Sequence, residues 1–342
     1  MNDLTVGLAI VGGVVLAGVV AHGAWQARRA GPRRAEKAQP ADAAPAQLEP
    51  VLAPEPAPES GLPWVLPRRP SPRVDALIDA IATLKPEAEL SGDFVLSHLP
   101  ATRRVDAKPW LVEGLNAETG EWEPIAPGVR YRELQAGVQL ANRSGALNEI
   151  EYSEFAQKVQ ALADAVGAMA DLPDMLDVVA RARELDAFAS AHDVQLALRL
   201  KARSVAWSVG YVQQALARRG FVVGTPGRMV LPAAQDGEPP VMVLSYDAQA
   251  ALAEDCEVAA VRELALVFDV ALTDQTLNPF SAWQGHAQAL AEEVDAVVVD
   301  DQDRPLTDAG FAAIGAELER LYAVMAEHGL AAGSAPARRL FG

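Results

Sequence analysis

The chain is poor in the residue types that most chemistry needs. Of its 342 residues one is cysteine and five are histidine, and aromatics make up 6%. A single Cys256 excludes an internal disulfide framework and fits a reducing compartment. Its neighbours Asp255 and Glu257 disfavour a thiolate, which is the wrong setting for a nucleophile. The histidines His22, His98, His192, His286 and His328 are scattered, with no HxH or HExxH pairing to hold zinc. GxxxxGK[ST] and GxSxG are both absent, and GTPG at Gly224–Gly227 lacks the strand-to-helix setting of a dinucleotide fingerprint. Positive charge is scarce too. Residues 1–72 hold seven basic and six acidic side chains, leaving 22 against 40 beyond them, a balance of −18. Such a surface repels nucleic acid and anionic lipid headgroups.

What the chain does have is a layout. Leu4–Ala27 reads LTVGLAIVGGVVLAGVVAHGAWQA without a charged side chain, long enough to cross a ~30 Å hydrocarbon core as a helix. A cleaved signal peptide carries its positive charge ahead of the apolar run, whereas Arg28, Arg29, Arg33, Arg34 and Lys37 come after it. The expectation is a single-pass anchor over residues 1–27. Its N-terminus would be periplasmic, the inner membrane its site, and the bulk of the chain cytoplasmic. Ala9, Gly13, Ala17 and Ala21 form a small-residue stripe that suits self-association of such helices. Residues 28–72 are built from Pro, Ala, Glu and Arg and read as a disordered tether, with an r.m.s. span of about 35–40 Å. Within it, LPWVL at Leu62–Leu66 is an apolar island that either docks on the folded region or serves as a short partner motif.

Beyond the tether the sequence repeats itself. Leu147-Asn148, Tyr152-Ser153 and Phe155 before AQKVQALADAVGA align with Leu277-Asn278, Phe280-Ser281 and Trp283 before QGHAQALAEEVDA. Alternating apolar residues precede both, with Leu134, Ala136, Val138 and Leu140 in one and Leu264, Leu266, Phe268, Val270 and Leu272 in the other. The reading is α+β: two tandem related modules, each an antiparallel sheet covered by helices on one face, over residues 73–190 and 191–330, with a flexible tail at 331–342.

In the second module Val194, Leu196, Leu198 and Leu200 alternate as a strand. A helix is expected over Ser204–Gly220, with Val205, Val209, Val212 and Leu216 at helical spacing. Short strands at Phe221–Val223, Arg228–Leu231 and VMVLS follow, then strand Leu264–Leu272, helix Trp283–Val294, strand Ala296–Val299 and a helix from Asp308 to Met325 with Thr307 as N-cap. The first module shows strands at Phe94–Leu96 and Trp110–Val112 with no clear helix between them, so it reads as a degenerate copy. It either binds a second partner or supports the other module.

The order DVQLALRL, RRGF, QDGEPP, LALVFDVAL and above all ALAEEVDAVVVDDQDRPLT resembles the C-terminal domain of the ZipA family of cell-division proteins, over roughly residues 192–328. The resemblance implies a split β-α-β fold whose open sheet face holds the C-terminal tail of FtsZ, the tubulin-like GTPase of the division ring. It places the groove side chains at or near Gln195, Ala197, Arg199, Met229, Val243, Ala265, Val267 and Asp269. These are smaller and more polar than a large apolar floor. It implies a non-enzymatic adaptor without cofactor or metal; the alternative is a scaffold of the same fold serving another division or envelope protein. Asp300, Asp301 and Asp303 cluster in DDQDR, but Pro305 stands where a calcium-loop ligand belongs. They read as caps on a strand end and on the turn into the last helix.

Overall fold

The computed structural model of the chain describes residues 73–342, save Asp236, Glu254 and Glu257. The expected anchor, the tether and Leu62–Leu66 all lie outside the described residues. Among the described residues no helix is long and apolar enough to cross a membrane.

The first half is a sheet with helices packed on one side. Its elements are β1 (Asp79–Pro86), β2 (Leu90–Ser91), α1 (Gly92–His98), β3 (Arg104–Val105), β4 (Lys108–Asn116), β5 (Trp122–Pro124), β6 (Arg130–Gln139), β7 (Ala141–Asn142), β8 (Gly145–Ala146), α2 (Glu149–Val166), β9 (Ala168–Asp171) and α3 (Met175–His192). The sheet runs β3-β4-β6-β1-β9, with β2 on β6 and β5 on β4. Helix α2 starts where Asn148 accepts from the Ile150 and Glu151 amides while Glu151 reaches back to the Asn148 amide. It stops at Gly167, whose φ of +67° a side chain would resist. Its buried Phe155, Val159 and Leu162 pack on Leu134, Ala136 and Val138 of β6.

The second half comprises β10 (Gln195–Ala202), β11 (Trp207–Ser208), α4 (Val209–Ala217), β12 (Val222–Val223), β13 (Arg228–Leu231), β14 (Met242–Ser245), α5 (Ala248–Ala251), β15 (Ala260–Val261), β16 (Glu263–Asp269), a 3-10 turn at Gln275–Leu277, α6 (Pro279–Glu293), β17 (Ala296–Val299), α7 (Asp308–Glu327) and α8 (Ala335–Leu340). Its sheet runs β12-β13-β14-β16-β10-β17. The core of β4-β6-β1-β9 recurs as β14-β16-β10-β17, antiparallel throughout. The small β2–β6 pairing has its counterpart in β11–β15. Leu198, Leu200, Leu244, Leu264, Leu266 and Phe268 form one buried cluster with Val212 and Leu216 of α4, Trp283 and Leu290 of α6 and Phe311 of α7.

Four expectations need correction. Phe94–Leu96 is not a strand but the middle of α1, capped by Ser91. Phe94 faces solvent and Val95 the core, so the i, i+2 spacing of Phe94 and Leu96 mimicked a strand while the burial follows a helical turn. The helix thought missing from the first module is therefore present. In the second module the helix begins at Val209, not Ser204, and Val205 is exposed; Gly220 ends the run with φ +86°. The strand read as Leu264–Leu272 ends at Asp269. Residues 331–342 are not a flexible tail, since α8 buries Ala337 and Leu340 and the next residue, Phe341, is buried too.

That last helix also ties the halves together. Arg339 donates both guanidinium Nη atoms to Asp79, at 2.8 and 2.6 Å, and the Gln139 amide donates to the Arg339 carbonyl at 2.6 Å. Burial raises the Asp79 carboxyl above its ordinary range despite the opposing pull of Arg339.

Candidate functional face

On the second sheet the pleat sends alternate side chains to the two faces, and among the described residues helices cover only one of them. The strand registers therefore define the other face row by row. Val222 opposes Val230, Val230 opposes Val243, Val243 opposes Val267, and Val267 opposes Ala197. This valine row crosses five strands, about 19 Å at the usual strand spacing. A second row runs Arg228, Ser245, Ala265, Arg199 and Val299 beside it. On its other side Gln195 opposes Asp269.

Seven of the eight groove positions implied by the resemblance thus share one face: Gln195, Ala197, Arg199, Val243, Ala265, Val267 and Asp269. Met229 does not. It opposes Leu244, which opposes Leu266, and all three are buried under the helices. Val230 takes the place given to Met229, and Val222 extends the row. In the four-residue strand Arg228–Leu231 three apolar residues are consecutive, so alternation cannot set its phase; the pairing with Val243 does.

The polar ends of the face are anchored. Arg199 donates to the carbonyls of Asp300 and Asp301 at 3.0 and 2.8 Å and pairs with the Asp303 carboxylate and with Glu263. It clamps the loop between β17 and α7 and is not a free rim charge. Lys201 also holds Asp303, at 2.7 Å, and hydrogen bonding from Lys201 is the main cause that keeps the Asp303 carboxyl low. Asp300 accepts from the Gln302 and Arg304 amides and pairs with the Arg304 side chain; the Arg304 amide does most to hold its carboxyl low. These carboxylates hold a turn, and among the described residues no group of three or more His, Cys, Asp or Glu is arranged to hold a metal ion. At the far end Asp269 accepts from Gln195 at 2.9 Å and from Arg143 of the β7–β8 hairpin at 2.7 Å. The centre of the face is left apolar, shallow and half exposed.

Residues 212–317, from inside α4 to inside α7, match the family model described as ZipA, C-terminal FtsZ-binding domain. The second module is ZipA-like. No curated protein matches the chain. Among solved structures, berberine bridge enzyme from Eschscholzia californica, in its monoclinic crystal form, aligns at 8% identity over 66% of this chain and 42% of that one, with a TM-score of 0.17. The chain spans under half of that structure's length, and so low a score carries no argument about fold or chemistry. The ZipA-like stretch includes β12 to β17 and hence Val230, Val243 and Val267, while β10 with Ala197 and Arg199 lies just ahead of it.

Proposed function

We propose that this chain is a cell-division adaptor that holds FtsZ filaments at the inner membrane. The second module binds the FtsZ C-terminal tail on its open face, and the N-terminal apolar run anchors the chain with residues 28–72 as the tether. The family match over residues 212–317 carries the FtsZ reading. The valine row supports the choice of face, because an apolar strip between anchored polar rows suits a short peptide that buries a few aliphatic side chains, each contributing about 1.5–3 kcal/mol when fully buried. The narrowness of valine and alanine side chains makes the strip shallow, so part of the affinity comes from polar contacts at Gln195, Ser245 and Arg228. No chemistry is assigned to the site; its work is binding. The direct experiment is a calorimetric titration of residues 73–342 with FtsZ tail peptide, for which saturable binding is expected. Absence of binding would favour a scaffold of the same fold that serves another division or envelope protein.

A further inference from the structure

The two sheets share a strand order, yet their uncovered faces differ in one respect. Among the described residues nothing lies across the valine row of the second sheet, whereas in the first sheet the chain itself lies across the equivalent row. By strand register, Gly137 of β6 corresponds to Val267 and Glu113 of β4 to Ser245. Val74 sits over Gly137, so that a Cβ placed there would stand 2.9 Å from Val74 Cγ1. Glu113 is 2% exposed, and its carboxylate accepts from the Arg73 guanidinium Nε at 2.5 Å, from the Val74 amide at 3.2 Å and from Gln135 at 2.9 Å. Arg73 also donates to the Trp122 carbonyl, and its own carbonyl accepts from Arg339 at 2.7 Å. Without Arg73 and Val74, Glu113 would keep only the neutral Gln135 amide as a partner, with no cation to offset its charge.

We infer that the open face of the first sheet is a peptide-docking face built for a cation followed by a β-branched residue, and that its resident ligand is the chain's own Arg73–Val74. The recognition has three parts: a carboxylate for the cation, a glycine pit for the valine side chain, and main-chain bonds at both ends. The second sheet has Ser245 and Val267 at the matching positions, hence neither carboxylate nor pit, and takes a different, apolar ligand. The first module therefore recruits no FtsZ tail, and each chain takes one tail, a count that rests on the FtsZ reading above.

The strap is tested in the full chain by the rate at which trypsin cuts after Arg73. Gly137→Leu drives a side chain into Val74, Glu113→Gln removes the charge partner, and Val74→Gly withdraws the ligand side chain without touching the sheet. Each variant is expected to be cut at least tenfold faster than wild type while circular dichroism stays native. Equal rates in wild type and folded Val74→Gly and Glu113→Gln variants would overturn the strap. Calorimetry with FtsZ tail peptide supplies the second arm. One site per chain supports the inference and two sites overturn it, whereas no binding at all counts against the FtsZ reading and leaves the cleavage rates to decide the strap.

Discussion

Neighbouring residues on one strand behave as opposites here. Met229 and Val230 are adjacent and both apolar, but Met229 is 1% exposed beneath the helices while Val230 lies on the open face. Met229→Lys should therefore unfold the second module, at a cost of about 3 kcal/mol or more for an unpaired buried charge, while Val230→Lys should leave melting unchanged and weaken tail binding. Thermal melts of the two variants check the phase of β13. His286 gives a pH signature. Burial, helped by the positive charge of Arg219, holds its imidazole below 6.5, and its ring meets Phe221 edge-on. The unfolded chain then takes up the proton first, so this residue's share of stability is present above pH 6.5 and is lost as pH falls through that value. His286→Gln should flatten the slope of melting temperature between pH 7.5 and 5. Arg199, one of the groove positions implied by the resemblance, clamps the Asp300–Asp303 loop; Arg199→Ala should lower stability by about 1–3 kcal/mol, measured by urea unfolding.

At the scale of elements, the repeat was legible because two helices share the spacing from an aromatic to QALA, and that spacing places Phe155 and Trp283 under equivalent strands. The Leu-Asn pair matches in position but not in function. Asn148 caps α2 with its side chain, whereas Asn278 stands at φ +49° without a side-chain cap bond and Pro279 opens α6. What sequence could not show was α1, whose seven residues carry too few apolar positions to establish a period, and α8, whose burial comes from contacts over a long chain separation. Seven of the eight positions that the resemblance implies share one face by strand register, most of them on β10 and β16, whereas Met229, in the four residues of β13, lies on the other. The α8 contact can be probed directly. Arg339→Ala leaves the Asp79 carboxylate buried and uncompensated, and should cost about 3–5 kcal/mol at neutral pH by urea unfolding. Part of that loss should return in acid, where Asp79 takes up a proton.

The whole molecule is proposed as an anchor, a tether and two related modules, of which one binds FtsZ and the other holds its own chain. The proposed topology rests on the arginine cluster after Trp25: a cytoplasmic reporter at the C-terminus should be active and a periplasmic phosphatase silent, and the reverse would overturn it. Within that proposal, the apolar row through Val267 is the surface that captures the FtsZ tail. Its most direct test is the tail affinity of Val267→Glu beside wild type, with circular dichroism confirming that both are folded. A charge at the middle of the row must be desolvated against an apolar peptide, so binding should fall by 100-fold or more, about 2.7 kcal/mol, with folding intact. Full affinity in a folded Val267→Glu protein would move the site off this face.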